Sequence, residues 1–195
     1  MKLGIILLLC GCSGVSGKLL VMEGNFQKSR GMYTGAIASY LKALAYAEAA
    51  PYSEFGLGSV YFAMGEERAA LERFAQAGNL LEAFPPDSGQ ELRYRIHYNT
   101  GIVLFSDGDF SGAVDSFREA LKIDGGKKEA KRNLELSIRA LVRENTSNAP
   151  AGSGSGNEGE DESMAVLFGY IRQKETNQWK SREWQQEDNH DELDY

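Results

Sequence analysis

A chain of 195 residues that is 42% apolar and 10% aromatic can fill the core of one domain with appendages, which excludes a wholly disordered polymer. Its formal charge of −7 is unevenly spread: residues 1–156 hold 17 acidic and 17 basic side chains, and residues 157–195 hold 11 and 4. A neutral body with an acidic tail lacks the clustered basic face that nucleic-acid binding needs, so that class is set aside.

In chain order the first feature is "MKLGIILLLCGC": one early lysine, an apolar run over residues 3–9, then Leu9, Cys10, Gly11 and Cys12. The run is far short of the roughly 20 residues of a membrane-spanning helix. Cys10 and Cys12 are the only two cysteines and no histidine lies nearby, so they supply half of zinc's usual ligand set. Leu9 to Cys12 resembles the lipobox of bacterial lipoprotein signals: a Leu, a variable residue, a small residue and the lipidated Cys. The resemblance implies that residues 1–11 are removed and that Cys12 carries a lipid anchor. The mature chain would then face the periplasm from the cell envelope, where several acyl chains hold it more firmly than one can. A plain short signal or a misplaced start is the other reading.

Next comes a sentence written three times. "GMYTGAIASYLKAL" from Gly31 returns as "GEERAALERFAQAG" from Gly65 and as "GDFSGAVDSFREAL" from Gly108. Each copy sets an alanine, an aromatic and an alanine at i, i+4 and i+7: Ala36, Tyr40, Ala43; Ala70, Phe74, Ala77; Ala113, Phe117, Ala120. That spacing is one face of an α-helix. Seven positions before each leading glycine stands another, Gly24, Gly58 and Gly101. The step from Gly31 to Gly65 is 34 residues, and the pattern resembles the tetratricopeptide repeat (TPR), whose period this is. Leu57, Gly58 and Tyr61 match the Leu-Gly-x-x-Tyr of that family's first helix, while Glu23 and Gln27 in the first copy depart from it. The expected fold is all-α, a TPR solenoid of three helix-turn-helix repeats.

From Gly65 to Gly108 the step is nine residues longer, and the surplus falls around "FPPDSGQELR". Pro85 and Pro86 end a helix there, Ser88 and Glu91 have the spacing of a capping box, and both flanking helices are expected to lengthen. After Leu121, Ala130, Leu134, Ile138 and Leu141 form the buried stripe of a capping helix, with Lys127, Lys128, Lys131 and Arg132 facing out. The expected domains are a signal over 1–11, the TPR body with its capping helix over 12–144, a disordered linker over 145–162 and an acidic tail over 163–195. The linker is rich in Gly, Ser and acid. In the tail, Met164, Leu167, Phe168 and Ile171 recur at helical spacing, a stripe that wants a partner.

The tail also resembles the closing segment of the TPR component of bacterial Bat (aerotolerance-operon) systems, through Glu162, Leu167, Gln173, Glu175 and Lys180. That likeness implies von Willebrand A-type membrane proteins and a MoxR-type ATPase as companions. No nucleotide, zinc-protease or hydrolase motif is present, and Asp107-Gly-Asp109 lacks the later ligands of a calcium loop. His97 reads as a structural or groove residue. The expectation is a protein without catalysis, cofactor or metal.

TPR proteins usually bind a peptide or a partner helix in the concave groove lined by the first helix of each repeat. The TPR resemblance places Val21, Asn25, Ser29, Tyr52, Phe55, Ser59, Phe62, Arg95, Tyr98, Ile102 and Phe105 there. Some TPRs clamp a peptide's terminal carboxylate with basic residues and asparagines. Of that clamp only Asn25 has a counterpart, with Val21, Gly56, Tyr98 and Ile102 at its other places. The aromatic positions point instead to an apolar ligand, although Phe55 and Phe62 also suit packing between adjacent helices. The functional expectation is a protein–protein scaffold at the envelope. The alternatives are an apolar small-molecule binder working with a transporter, and an envelope-assembly factor.

Overall fold

The computed structural model describes residues 13–147. Seven α-helices and no strand occur among them: α1 Ser13–Ser29, α2 Tyr33–Ala43, α3 Ala50–Ala63, α4 Glu67–Leu81, α5 Gln90–Ser106, α6 Phe110–Ile123 and α7 Lys128–Ser147. The chain divides into two compact units, Met1–Val142 and Arg143–Tyr195. The repeats belong to the first. Cys12 and the stripe Met164, Leu167, Phe168 and Ile171 lie outside the described residues.

The three written copies are α2, α4 and α6, the second helices of three pairs. Their stripes are the core. Ala36, Tyr40, Ala43, Ala70, Phe74, Ala77, Ala113, Phe117 and Ala120 are all at most 1% exposed. Burying each aromatic contributes about 1.5–3 kcal/mol before entropy is subtracted. Each ring lies against the glycine sixteen positions earlier, in the first helix of its own pair. A Cβ on Gly24 would sit 2.6 Å from Tyr40 Cε1, on Gly58 2.6 Å from Phe74 Cε1, and on Gly101 2.8 Å from Phe117 Cε1. Only a residue without a side chain lets the ring come so close. The recurring glycine and the recurring aromatic are therefore two halves of one contact.

The leading glycines turn the chain between the helices of each pair. Gly31, Gly65 and Gly108 have φ of 72, 79 and 85°, the left-handed region that L side chains avoid. In the first two turns the following residue closes the helix end, Met32 N–H donating to Gln27 O and Glu66 N–H to Tyr61 O, both at 2.9 Å.

The long connection departs from expectation in two respects. α4 has 15 residues against 11 and 14 in the other second helices, α2 and α6, and α5 has 17 against 17 and 14 in the other first helices, α1 and α3, so part of the surplus lies in the turn between them. Nor does Ser88 cap α5. Its hydroxyl donates back to Pro85 O at 2.7 Å, and the N-cap is Gly89 at φ 69° with no side-chain cap. The Pro–Pro turn uses Ser88 locally, which leaves Glu91 free to bind Arg95 at 2.7 Å.

In α7, Ala130, Leu134 and Ile138 are buried and Leu141 is partly so. Lys127, expected to face out, instead pairs with Glu91 at 3.5 Å and Asp124 at 3.4 Å, its ammonium 5.0 Å from the centre of the Tyr94 ring. Those carboxylates, Glu91 first, hold its pKa above the ordinary lysine value. The helix also runs on to Ser147, past the expected linker start at Asn145. The first residue that forbids helix in this stretch is Pro150.

Candidate groove of the first helices

The groove positions come from α1, α3 and α5. Of the seven residues singled out as partner-binding, Asn25, Phe55, Phe62, Tyr98 and Phe105 have side-chain contacts with the body itself. Phe55 is half-buried, its ring centroid 5.5 Å from that of Phe74, and Phe62 packs against the same cluster around Ala70, Phe74 and Leu81. Tyr98 stacks on Tyr94 at 5.7 Å and meets Phe117 edge-on at 5.7 Å, while its hydroxyl accepts from Asn133 Nδ2 at 3.1 Å. Ile102 is half-buried. Asn25 is exposed, but its Oδ1 accepts from the Tyr40 hydroxyl at 2.7 Å. Of the seven, Tyr52 at 45% and Phe105 at 37% exposure are the large apolar side chains most open to solvent, with Phe105 set edge-on to Phe110 at 5.3 Å; Leu19, Met22 and Phe26 of α1 are more exposed still.

The Tyr40–Asn25 bond explains the one clamp residue present. The Tyr40 ring fills the space over Gly24 and Gly56, and a Cβ at Gly56 would collide with it. A buried phenol needs a partner for its hydroxyl, and Asn25 provides it. Burial pushes the Tyr40 pKa up to about 12, so the hydroxyl stays a donor throughout the neutral range. Asn25 is thus part of the wall.

Two cations on this face were not read together from the sequence. Lys28 on α1 has a lowered pKa, from burial first and then from the charge of Arg95 on α5. Arg95 is exposed and ion-paired with Glu91 at 2.7 Å. Lys28 stands one position from Ser29, and an error of one residue in helix phase hid it. Among the described residues no group of three or more His, Cys, Asp or Glu could hold a metal ion. No helix there is long and apolar enough to cross a membrane.

No protein-family profile matches the chain. It is 25% identical over 130 residues to small glutamine-rich tetratricopeptide repeat-containing protein 2 of Mycosarcoma maydis, a match covering 67% of this chain. The match spans only about a third (34%) of that relative's length. The Sgt2 TPR domain from Aspergillus fumigatus superposes with a TM-score of 0.58 at 23% identity, covering 72% of this chain and 89% of that domain. The first TPR of Spaghetti (RPAP3), bound to the HSP90 peptide SRMEEVD, gives 0.56 at 20% identity over 65% and 94%. These likenesses agree with the helix pairs, the turn glycines and the ring-on-glycine contacts: the described residues have the tetratricopeptide-repeat fold, three helix-turn-helix repeats followed by a further helix.

Proposed function

We propose that this chain is a non-catalytic scaffold that captures an apolar segment of a partner protein in its concave face. In this reading a lipid on Cys12 holds it at the bacterial cell envelope, facing the periplasm, and von Willebrand A-type membrane proteins are its partners. The observation that carries the capture mode is the set of residues at the clamp places. Val21, Gly56, Tyr98 and Ile102 supply no charge, Asn25 is spent on Tyr40, and Tyr52 and Phe105 are open to solvent. Exposed aromatics flanking a groove are the anchors that amphipathic segments use. Lys28 and Arg95 lie close enough to feel each other's charge, which favours an acidic residue in the ligand beside its apolar anchors. TPR structures similar to this one hold acidic peptides, HSP90 SRMEEVD in one case. Here the missing clamp cations favour the interior of a segment over its carboxyl end.

The test is a calorimetric titration of the soluble domain of a von Willebrand A protein from the same bacterium. The wild-type chain binds it, and the double variant Tyr52→Ala/Phe105→Ala weakens binding by about tenfold or more. Equal affinities would refute the groove as the site. For the anchor, Cys12→Ser should release the protein from the membrane fraction and Cys10→Ser should not.

A further inference from the structure

A cleft of about 480 Å³ lies between α4, α5 and the end of α6, separate from the groove. That volume is within the range of small-molecule sites. Leu71, Phe74, Ile96, Leu104 and Ile123 give it apolar walls. Asn79, Glu82, Arg93, His97 and Thr100 bring polar groups to it.

Two independent observations mark this cleft as more than a packing gap. The first is Gly78, which lines it from the interior of α4. Glycine inside a helix costs about 1 kcal/mol relative to alanine. At Gly24, Gly58 and Gly101 a packed ring requires that residue. At Gly78 nothing does: apart from its chain neighbours and the backbone of α4 itself, no atom of the described residues lies within 4 Å of where its Cβ would be. The lost side chain opens the cleft.

The second is Arg93. Its Nη2 donates to Leu81 O at 2.6 Å, and its Nε is buried with no acceptor among the described residues. Arg93 takes part in none of the ion pairs found there. A guanidinium does not shed its proton, and no carboxylate of the described residues is paired with it, although exposed Glu82 lines the same cleft. His97 lies on the same helix four residues on, with its pKa lowered by burial first and further by the charges of Arg93 and Lys122, against an opposing pull from Glu119. At neutral pH its imidazole is uncharged and can donate or accept one hydrogen bond.

We propose that this cleft binds an amphipathic carboxylic acid, with the hydrocarbon body along the apolar walls and the carboxylate at Arg93. A carboxylate supplies the missing counter-ion through a guanidinium N–H that the Leu81 bond leaves free.

Calorimetric titration of the full chain with dodecanoate, and with 1-dodecanol as the uncharged counterpart, tests this. Wild type binds dodecanoate saturably and more tightly than dodecanol. Gly78→Phe fills the cleft from a position with open space, so it keeps or raises the melting temperature while weakening dodecanoate by about tenfold or more. Arg93→Gln weakens dodecanoate by a similar factor and leaves dodecanol unchanged, and Arg93→Lys retains most of the affinity. Absence of saturable dodecanoate binding by the wild type overturns the proposal. Equal affinity in wild type and a folded Gly78→Phe overturns it too, by placing the ligand elsewhere.

Discussion

Gly58 and Gly78 make opposite predictions from the same residue type. At Gly58 an added methyl would meet Phe74 Cδ1 at 2.7 Å and the Ala70 carbonyl oxygen at 3.1 Å, and the backbone oxygen cannot yield. Gly58→Ala therefore loses to overpacking, in a range of about 1–3 kcal/mol, and because a backbone oxygen is among the atoms met the loss lies above the roughly 1 kcal/mol gained in helix propensity. Gly78→Ala meets nothing and gains that propensity. The first variant should lower the midpoint of denaturation and the second should raise it. A gain at Gly58 would contradict the packing assigned to the repeat. Glu54 and Arg73 offer a second case. Glu54 is 6% exposed on α3 and takes both of its contacts, at 3.4 and 3.1 Å, from Arg73 Nη1 on α4. Removing the partner of a buried charge costs about 3 kcal/mol, so Arg73→Ala should destabilise far more than truncation of the exposed Arg68.

His97 adds a pH dependence with a definite sign. Its folded pKa lies below the ordinary 6.5, chiefly because burial disfavours the imidazolium. The unfolded chain then takes up a proton that the folded chain refuses. The stability from the neutral imidazole is complete above about 6.5 and is lost as the pH falls from there towards the folded value. His97→Gln should reduce the drop in melting temperature between pH 7.5 and pH 5. An unchanged drop would contradict the burial of His97.

At the scale of elements, α2, α4 and α6 were fully legible, because an alanine–aromatic–alanine face depends only on helical period. α3 was not. It buries Pro51, Ser53, Glu54, Gly56, Leu57, Gly58 and Val60, so hardly any face of it is left to mark the solvent side. The groove could thus be assigned only through the repeat frame, and a shift of one position there hid Lys28. Nor did the sequence reveal that Tyr98 would be covered by Asn133, because that contact joins residues 35 apart. Ser88 was misread since a capping box and a Pro–Pro turn compete for the same hydroxyl. A side-chain cap is found instead at α6, where the Asp109 carboxylate accepts from Gly112 N–H at 2.8 Å, whereas Met32 and Glu66 at the equivalent places of α2 and α4 make no such bond. Asp109→Ala should cost about 1 kcal/mol and Glu66→Ala almost nothing, as denaturant midpoints with unchanged slopes would show.

At the scale of the whole molecule, the proposed function rests on what the first helices of the repeats meet. The stripes, the turn glycines and the ring contacts all lie within the first unit. Tyr52 and Phe105 leave apolar surface in water, as do Leu19, Met22 and Phe26 of α1, and the proposed capture mode rests on the first two. The direct measurement is site-specific photocrosslinking in living cells, with a benzophenone amino acid placed at Tyr52, at Phe105 or at exposed Arg118 on α6. If the proposed capture mode holds, Tyr52 and Phe105 give one shared adduct, identified by mass spectrometry as a von Willebrand A-type membrane protein, and Arg118 gives none. The same adduct at equal yield from all three positions, or none from either groove position, would contradict it.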